Sequence, residues 1–142
     1  SAREDILFLT KTKSYTFNIP YLEEKSERKD LGSNGKPRKN KFKRVSNVWY
    51  DIAEASQSSI ERCEHPTVKA QKLCGRIIQA HSNEDDTILI PFLGSGSEMI
   101  SAIRNNRKAI GCEIDEKYVI LALERIKRMA GVDFYEMEEN KE

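Results

Sequence analysis

The 142 residues amount to about one domain, with 24 lysines and arginines set against 23 aspartates and glutamates for a net charge of +1. Residues of the AVILMFWYC set make up 38% and charged residues 33%, a balance that allows one modest core with polar flanks and excludes an enzyme with two cores. No apolar run reaches the roughly 18 residues a membrane span needs, and Ser1-Ala2-Arg3-Glu4-Asp5 does not open like a signal peptide, so a cytoplasmic protein with no membrane partner is expected.

In chain order, Ile6-Leu7-Phe8-Leu9-Thr10 is a short apolar run that reads as a buried strand. Ser14-Tyr15-Thr16-Phe17-Asn18 alternates polar and aromatic positions and reads as its partner or extension. From Tyr21 to Arg44 the periodicity collapses around a turn-rich Leu31-Gly32-Ser33-Asn34-Gly35-Lys36-Pro37, which predicts a mobile loop or linker. Order returns at Asn47-Val48-Trp49-Tyr50-Asp51-Ile52. Pro66 then opens a stretch with Ala70, Leu73, Cys74, Ile77 and Ile78 at helical spacing. Thr87-Ile88-Leu89-Ile90-Pro91-Phe92 reads as a strand, Gly94-Ser95-Gly96-Ser97 as a turn, and Met99, Ile100, Ala102 and Ile103 as one face of a short helix. Ala109-Ile110-Gly111-Cys112-Glu113 is a second buried strand, after which Asp115 caps a helix carrying Tyr118, Val119, Ala122, Leu123 and Ile126 and stopping near Gly131. The βαβα unit over residues 87–130, with short connections and buried strands, predicts an α/β fold whose parallel sheet carries helices on its faces. Glu136-Met137-Glu138-Glu139 begins a solvated acidic tail.

Three cysteines, Cys63, Cys74 and Cys112, are an odd number with no CxxC spacing, and Cys63, His65, Cys74 and His81 match no common zinc pattern. Reduced cysteines packed as small apolar groups are expected, with no metal site.

The chemistry concentrates at Gly94-Ser95-Gly96. Two close glycines at the carboxyl end of a strand let backbone N–H groups approach a ligand, where open α/β sheets bind cofactors. At the end of the next strand Glu113 can accept hydrogen bonds from both hydroxyls of a ribose, so the pair describes a nucleoside-cofactor site. Met99 occupies the third glycine position of a dinucleotide fingerprint, and no Gly-Lys-Ser/Thr follows as in a phosphate-binding loop. S-adenosylmethionine, which needs no diphosphate cradle, is the remaining large class; a nicotinamide cofactor is disfavoured by Met99.

Three elements in order, His65-Pro66-Thr67-Val68-Lys69, Ile90-Pro91-Phe92-Leu93-Gly94-Ser95-Gly96-Ser97 and Gly111-Cys112-Glu113 with Tyr118, resemble the HPTxKP, DPFxGSGT and GxExxxxY elements of the β-class amino-methylating DNA methyltransferases, which act on adenine N6 or cytosine N4. In that family a helix ending in Arg follows, here Arg125. The resemblance covers residues 47 to about 128 well and is weaker over Ile6–Asn18, which is similar to a late strand of the family's sheet. It implies a Rossmann-like S-adenosylmethionine-dependent methyltransferase fold. Phe92, Gly94, Ser95, Gly96 and Ser97 would line the methionine and ribose side, Thr67 and Lys69 would close that end, Glu113 would hold the ribose, and Cys112 or Ile114 would pack on the adenine. Methyl transfer in the family is direct in-line attack by the exocyclic amine, with no covalent enzyme intermediate and no metal.

Two substitutions depart from the pattern near the cofactor: Ile90 stands where the family has an acid, and Ala70 where it has a proline. A larger departure is that no catalytic (D/N/S)PP(Y/F/W) tetrapeptide is present, so no catalytic residue is assigned. Asn18-Ile19-Pro20-Tyr21 only superficially resembles it and precedes His65 too closely for the family's intervening strands.

The resemblance therefore implies the carboxy-terminal half of a methyltransferase, inactive alone, whose amino-terminal half lies in a longer protein or on a partner chain, or which is a degenerate relic. Lys36, Arg38, Lys39, Lys41, Lys43 and Arg44 crowd around Phe42 with no acid among them and are expected to contact double-stranded DNA; a solvated linker is the competing reading. The chain divides into a late strand segment (1–20), a basic loop (21–46), a cofactor-binding βα region (47–131) and an acidic tail (132–142). Half a sheet would leave apolar edges prone to self-association. The alternative function is a non-catalytic DNA- or partner-binding module that keeps the scaffold.

Overall fold

The computed structural model describes residues 4–25, 41–53 and 60–132. Two short strands, β1 (Tyr21–Lys25) and β2 (Phe42–Arg44), pair antiparallel. They are followed by α1 (Gln71–His81), β3 (Thr87–Ile90), α2 (Ser97–Arg104), β4 (Lys108–Gly111) and α3 (Glu116–Ala130). β3 and β4 run parallel in the register Thr87↔Lys108, Ile88↔Ala109, Leu89↔Ile110 and Ile90↔Gly111. α2 crosses between these strands and packs against both as well as against α1 and α3. The core lies beneath it, formed by Ile90, Leu93, Met99, Ile100, Ala122 and Ile126. Ile100, Ala122 and Ile126 are wholly buried. Among the described residues, no helix is long and apolar enough to cross a membrane.

The helix ends follow local chemistry where it exists. Asp115 accepts the Lys117 N–H at 2.9 Å, and Gly131 closes α3 in the left-handed conformation at φ +71°. α1 has no such local cap. It begins at Gln71 rather than at Pro66, because the Gln71 N–H is taken by the carboxylate of Glu61 at 3.0 Å, supplied from an upstream segment.

The same sheet differs from expectation in how it is covered. Ile88, Ile90, Ala109 and Gly111 turn toward the helices, while Leu89 is 64% and Ile110 57% exposed on the opposite side. Their strands read as apolar throughout, yet only one face is covered among the described residues, since α2 and its neighbours all lie on that side.

Other expectations are corrected at the amino-terminal end. Ile6–Thr10 and Ser14–Asn18 form no strand. Phe8 instead packs edge-on against Tyr15 with centroids 5.3 Å apart and stacks on His81 at 4.3 Å, with Phe17 5.3 Å from the same imidazole. Asn18 fixes this segment to the end of α1: its amide side chain donates to the carbonyls of Gln79 (3.0 Å) and Ser82 (2.9 Å), and its N–H to that of Ala80. These bonds satisfy carbonyls that a helix end leaves open. Residues 21–25 and 42–44 are strands, not loop, tied by a Lys43–Glu24 ion pair at 2.5 Å. Lys36, Arg38, Lys39 and the acidic tail from residue 133 lie outside the described residues.

Candidate functional site

Beyond the sheet, the strand ends stay locked together. The Cys112 N–H donates to Ile90 O at 2.9 Å and the Leu93 N–H to Cys112 O at 2.8 Å, so residues 91–94 and 112–113 form one platform. Gly94 and Gly96 both hold positive φ, +50° and +75°. They serve different neighbours. A Cβ on Gly94 would sit 3.0 Å from His65 Nε2, whereas a Cβ on Gly96 would sit 3.2 Å from the Cβ of Ala122. Gly94 thus lets a side chain of the cleft close over the turn, and Gly96 lets α3 pack beneath it.

Glu113 faces this turn. Its Oε2 accepts the Gly94 N–H at 2.8 Å, and its Oε1 accepts the N–H groups of Ile114 (2.9 Å) and Asp115 (3.1 Å). Those backbone donors, Asp115 and Gly94 foremost, hold its pKa below the usual glutamate value, so the group is an ionised acceptor at neutral pH. A carboxylate offers about four lone-pair sites, leaving capacity for a further hydroxyl donor.

Glu113 stands between two hollows. One, of about 300 Å³, is lined by His65, Thr67, Lys69, Phe92, Leu93, Gly94, Ser95, Glu98, Glu113 and Tyr118. The other, of about 370 Å³ and mainly apolar, lies between Pro91, Phe92, Cys112, Glu113 and Ile114. Phe92 and Ile114 are almost fully exposed there, 90% and 101%. Aromatic and aliphatic surface held open beside an ionised acceptor is what a nucleoside requires, an apolar slot for the base and an acceptor for the sugar. The Thr67 N–H donates to His65 Nδ1 at 3.2 Å, His65 meets Tyr118 edge-on with centroids 4.5 Å apart, and the Lys69 ammonium pairs with Glu4 at 2.7 Å.

Of the residues nominated from sequence, Thr67, Lys69, Phe92, Gly94, Ser95 and Glu113 gather on one cleft. Gly96 and Ser97 do not line it: both are buried, and Ser97 points inward toward Ser95 Oγ (3.2 Å) and Arg125 (3.3 Å). His65, Glu98 and Tyr118 were not nominated. Two of them sit inside the quoted motifs and were legible as their fixed letters. Asn18 is spent on the end of α1, away from this lining. Lys41, Lys43 and Arg44 belong to β2 or its approach and do not line the cleft, and Lys43 is paired with Glu24. Ile90, in place of the family's acid, is a core residue only 5% exposed. Cys74 is buried, which pushes its thiol up to about 12; Cys112 is exposed, contrary to the expectation of a packed cysteine.

Residues 1–124 match the N6/N4 family described as DNA methylase. Over 129 residues the chain is 35% identical to the type II methyltransferase M.HpaI of Haemophilus parainfluenzae, covering 87% of this chain and 38% of that protein. It is 37% identical over 133 residues to the DNA adenine methyltransferase YhdJ of Escherichia coli (strain K12), covering 89% and 45%. Among solved structures, the M1.HpyAVI–SAM complex superposes with a TM-score of 0.53 at 28% identity, over 80% of this chain and 44% of that one. The chain thus spans about half or less of these relatives' lengths.

Proposed function

Because the chain belongs to the N6/N4 family of DNA methylases, we propose that it is the S-adenosylmethionine-binding, carboxy-terminal part of a DNA methyltransferase acting on an exocyclic base amine, adenine N6. The observation that carries this reading is the Glu113 carboxylate, pinned by three backbone N–H groups between a polar cleft and an apolar slot. A purine fits the slot of Phe92, Cys112 and Ile114, and a ribose at its mouth meets an acceptor that remains ionised. Thr67 and Lys69 border the far end, where the amino-acid portion would lie. Bound there, the cofactor supplies an activated methyl group. The chain's own residues bind and orient it, and Gly94 permits the close approach.

The sequence carries no (D/N/S)PP(Y/F/W) tetrapeptide, the element with which the resembled family holds a target base. The complementary amino-terminal part of a methyltransferase would bring it, in a longer protein or on a second chain. The uncovered Leu89 and Ile110 support this reading, because in a Rossmann-like fold both faces of the parallel sheet are covered. The basic residues of 36–44 are the proposed contact to double-stranded DNA, through phosphates and therefore weakened by salt.

Calorimetric titration of the chain with S-adenosylmethionine tests the site. Saturable binding, weakened about tenfold or more by Glu113→Ala, is expected for a charge-assisted contact. Tritiated-methyl transfer to DNA is expected only once the complementary half is supplied. Ile90 favours one competitor, a non-catalytic module on the same scaffold, which predicts no cofactor binding even in the completed assembly.

A further inference from the structure

Beneath the cleft lies a cation whose position the methylation chemistry leaves unused. Arg125 on α3 is 1% exposed, yet no carboxylate among the described residues lies within ion-pair distance of it. Its Nη1 donates to the carbonyl of Ser95 and, at 3.3 Å, to Ser97 Oγ; its Nη2 donates to the carbonyl of Glu61 at 2.7 Å. Nε has no acceptor among the described residues. Burying a guanidinium against neutral carbonyls costs more than filling the same space with methionine or leucine, so the group is poorly explained as packing alone.

What it holds is specific. Ser95 sits between two glycines with positive φ, where the backbone has the widest choice of conformations and a peptide can turn over at little steric cost. Arg125 fixes the carbonyl of that residue inward. The same guanidinium fixes the carbonyl of Glu61, at the start of the segment that runs to His65, on the opposite wall of the cleft. A neighbouring bond reinforces the join, with Gln71 Nε2 donating to Ser97 O at 3.0 Å. Resting on the cofactor reading above, we propose that Arg125 is a positioning residue: one buried guanidinium sets the spacing of the Gly94–Ser95 turn against the His65 wall, and hence the shape offered to the cofactor. Arg125 does not itself line the cleft; it reaches the lining only through the inward-turned carbonyl of Ser95.

Arg125→Met and Arg125→Lys in the full chain test this. Helical circular dichroism and the methyl resonances of Ile100 and Ile126 report whether the core is intact. Amide resonances of Gly94, Ser95 and His65 report the two walls, and calorimetry reports S-adenosylmethionine affinity well below the melting temperature. The expected result for Arg125→Met is an intact core, displaced or broadened wall resonances and affinity about tenfold lower, the scale of losing charge-assisted hydrogen bonds. Arg125→Lys should fall between, since one ammonium cannot span both carbonyls as a planar fork does. Wild-type wall resonances and affinity within about twofold of wild type in a folded variant would overturn the inference. Should Arg125→Met fail to fold, the same criteria apply to Arg125→Lys. If the unaltered chain binds no cofactor, the cofactor reading fails, and the wall resonances alone decide the role of Arg125.

Discussion

The two faces of the β3–β4 sheet share the same strands and nearly the same apolar letters, and they meet opposite environments. Ile88 and Ile90 of β3 and Ala109 of β4 lie beneath α2, with Ile100 of that helix wholly excluded from solvent. Leu89 and Ile110, their immediate neighbours, stand in paired register on the other side and remain more than half exposed. Amphipathic strands of a one-sided sheet would carry polar residues there. These strands carry the pattern of a sheet buried on both sides, while the described residues cover one. The difference sets the exposed apolar face apart from the cleft, which is assembled from the covered side and the strand ends.

Truncating an apolar residue on each face gives the largest contrast. Ile100→Ala should lower unfolding free energy by about 2–5 kcal/mol in urea titrations, through lost burial and a residual cavity. Leu89→Ala should change it by no more than about 0.5 kcal/mol in the chain alone. An equal loss at Leu89 would mean that the outer face is covered after all. Gly96→Ala, on the covered side, comes next, at about 1–3 kcal/mol, because its φ of +75° disfavours a side chain and the new Cβ would meet Ala122 at 3.2 Å. Charging the outer face with Leu89→Glu and Ile110→Glu should reduce any concentration-dependent self-association seen by sedimentation while leaving the thermal midpoint nearly unchanged. The smallest effect is expected at the periphery. Burial against Phe8 and Phe17 depresses the pKa of His81 below its ordinary 6.5, so the unfolded chain takes up its proton first. The stability this imidazole contributes is complete above pH 6.5 and declines as pH falls toward its folded pKa. His81→Phe should flatten that part of a melting-temperature profile.

The stretch from residue 87 to 131 was legible because its signals are local: an aspartate cap, a terminal glycine, and apolar positions at helical spacing. The start of α1 was not, since its capping carboxylate comes from Glu61, across an irregular segment. Ile6–Thr10 has the composition of a strand, but strand formation requires a neighbour to pair with, and its Phe8 stacks on His81 at the end of α1 instead. The β1–β2 pairing hid behind the acidic Glu23 and Glu24, of which Glu24 pairs with Lys43 of the other strand. The site shows the same division. Phe92, Gly94 and Glu113 follow from a glycine turn at strand ends, whereas the separate duties of Gly94 and Gly96 depend on His65 and Ala122, which arrive from elsewhere in the chain.

Cys112 has a practical consequence. Its sulfur is open to solvent in the apolar slot beside Glu113, while Cys74, buried and with its thiol pushed up to about 12, is sheltered from alkylation. A fluorescent label at Cys112, with Cys63 replaced by serine, becomes an optical gauge of occupancy at the apolar end of the proposed cofactor site, readable without radioactivity and without any transfer to DNA.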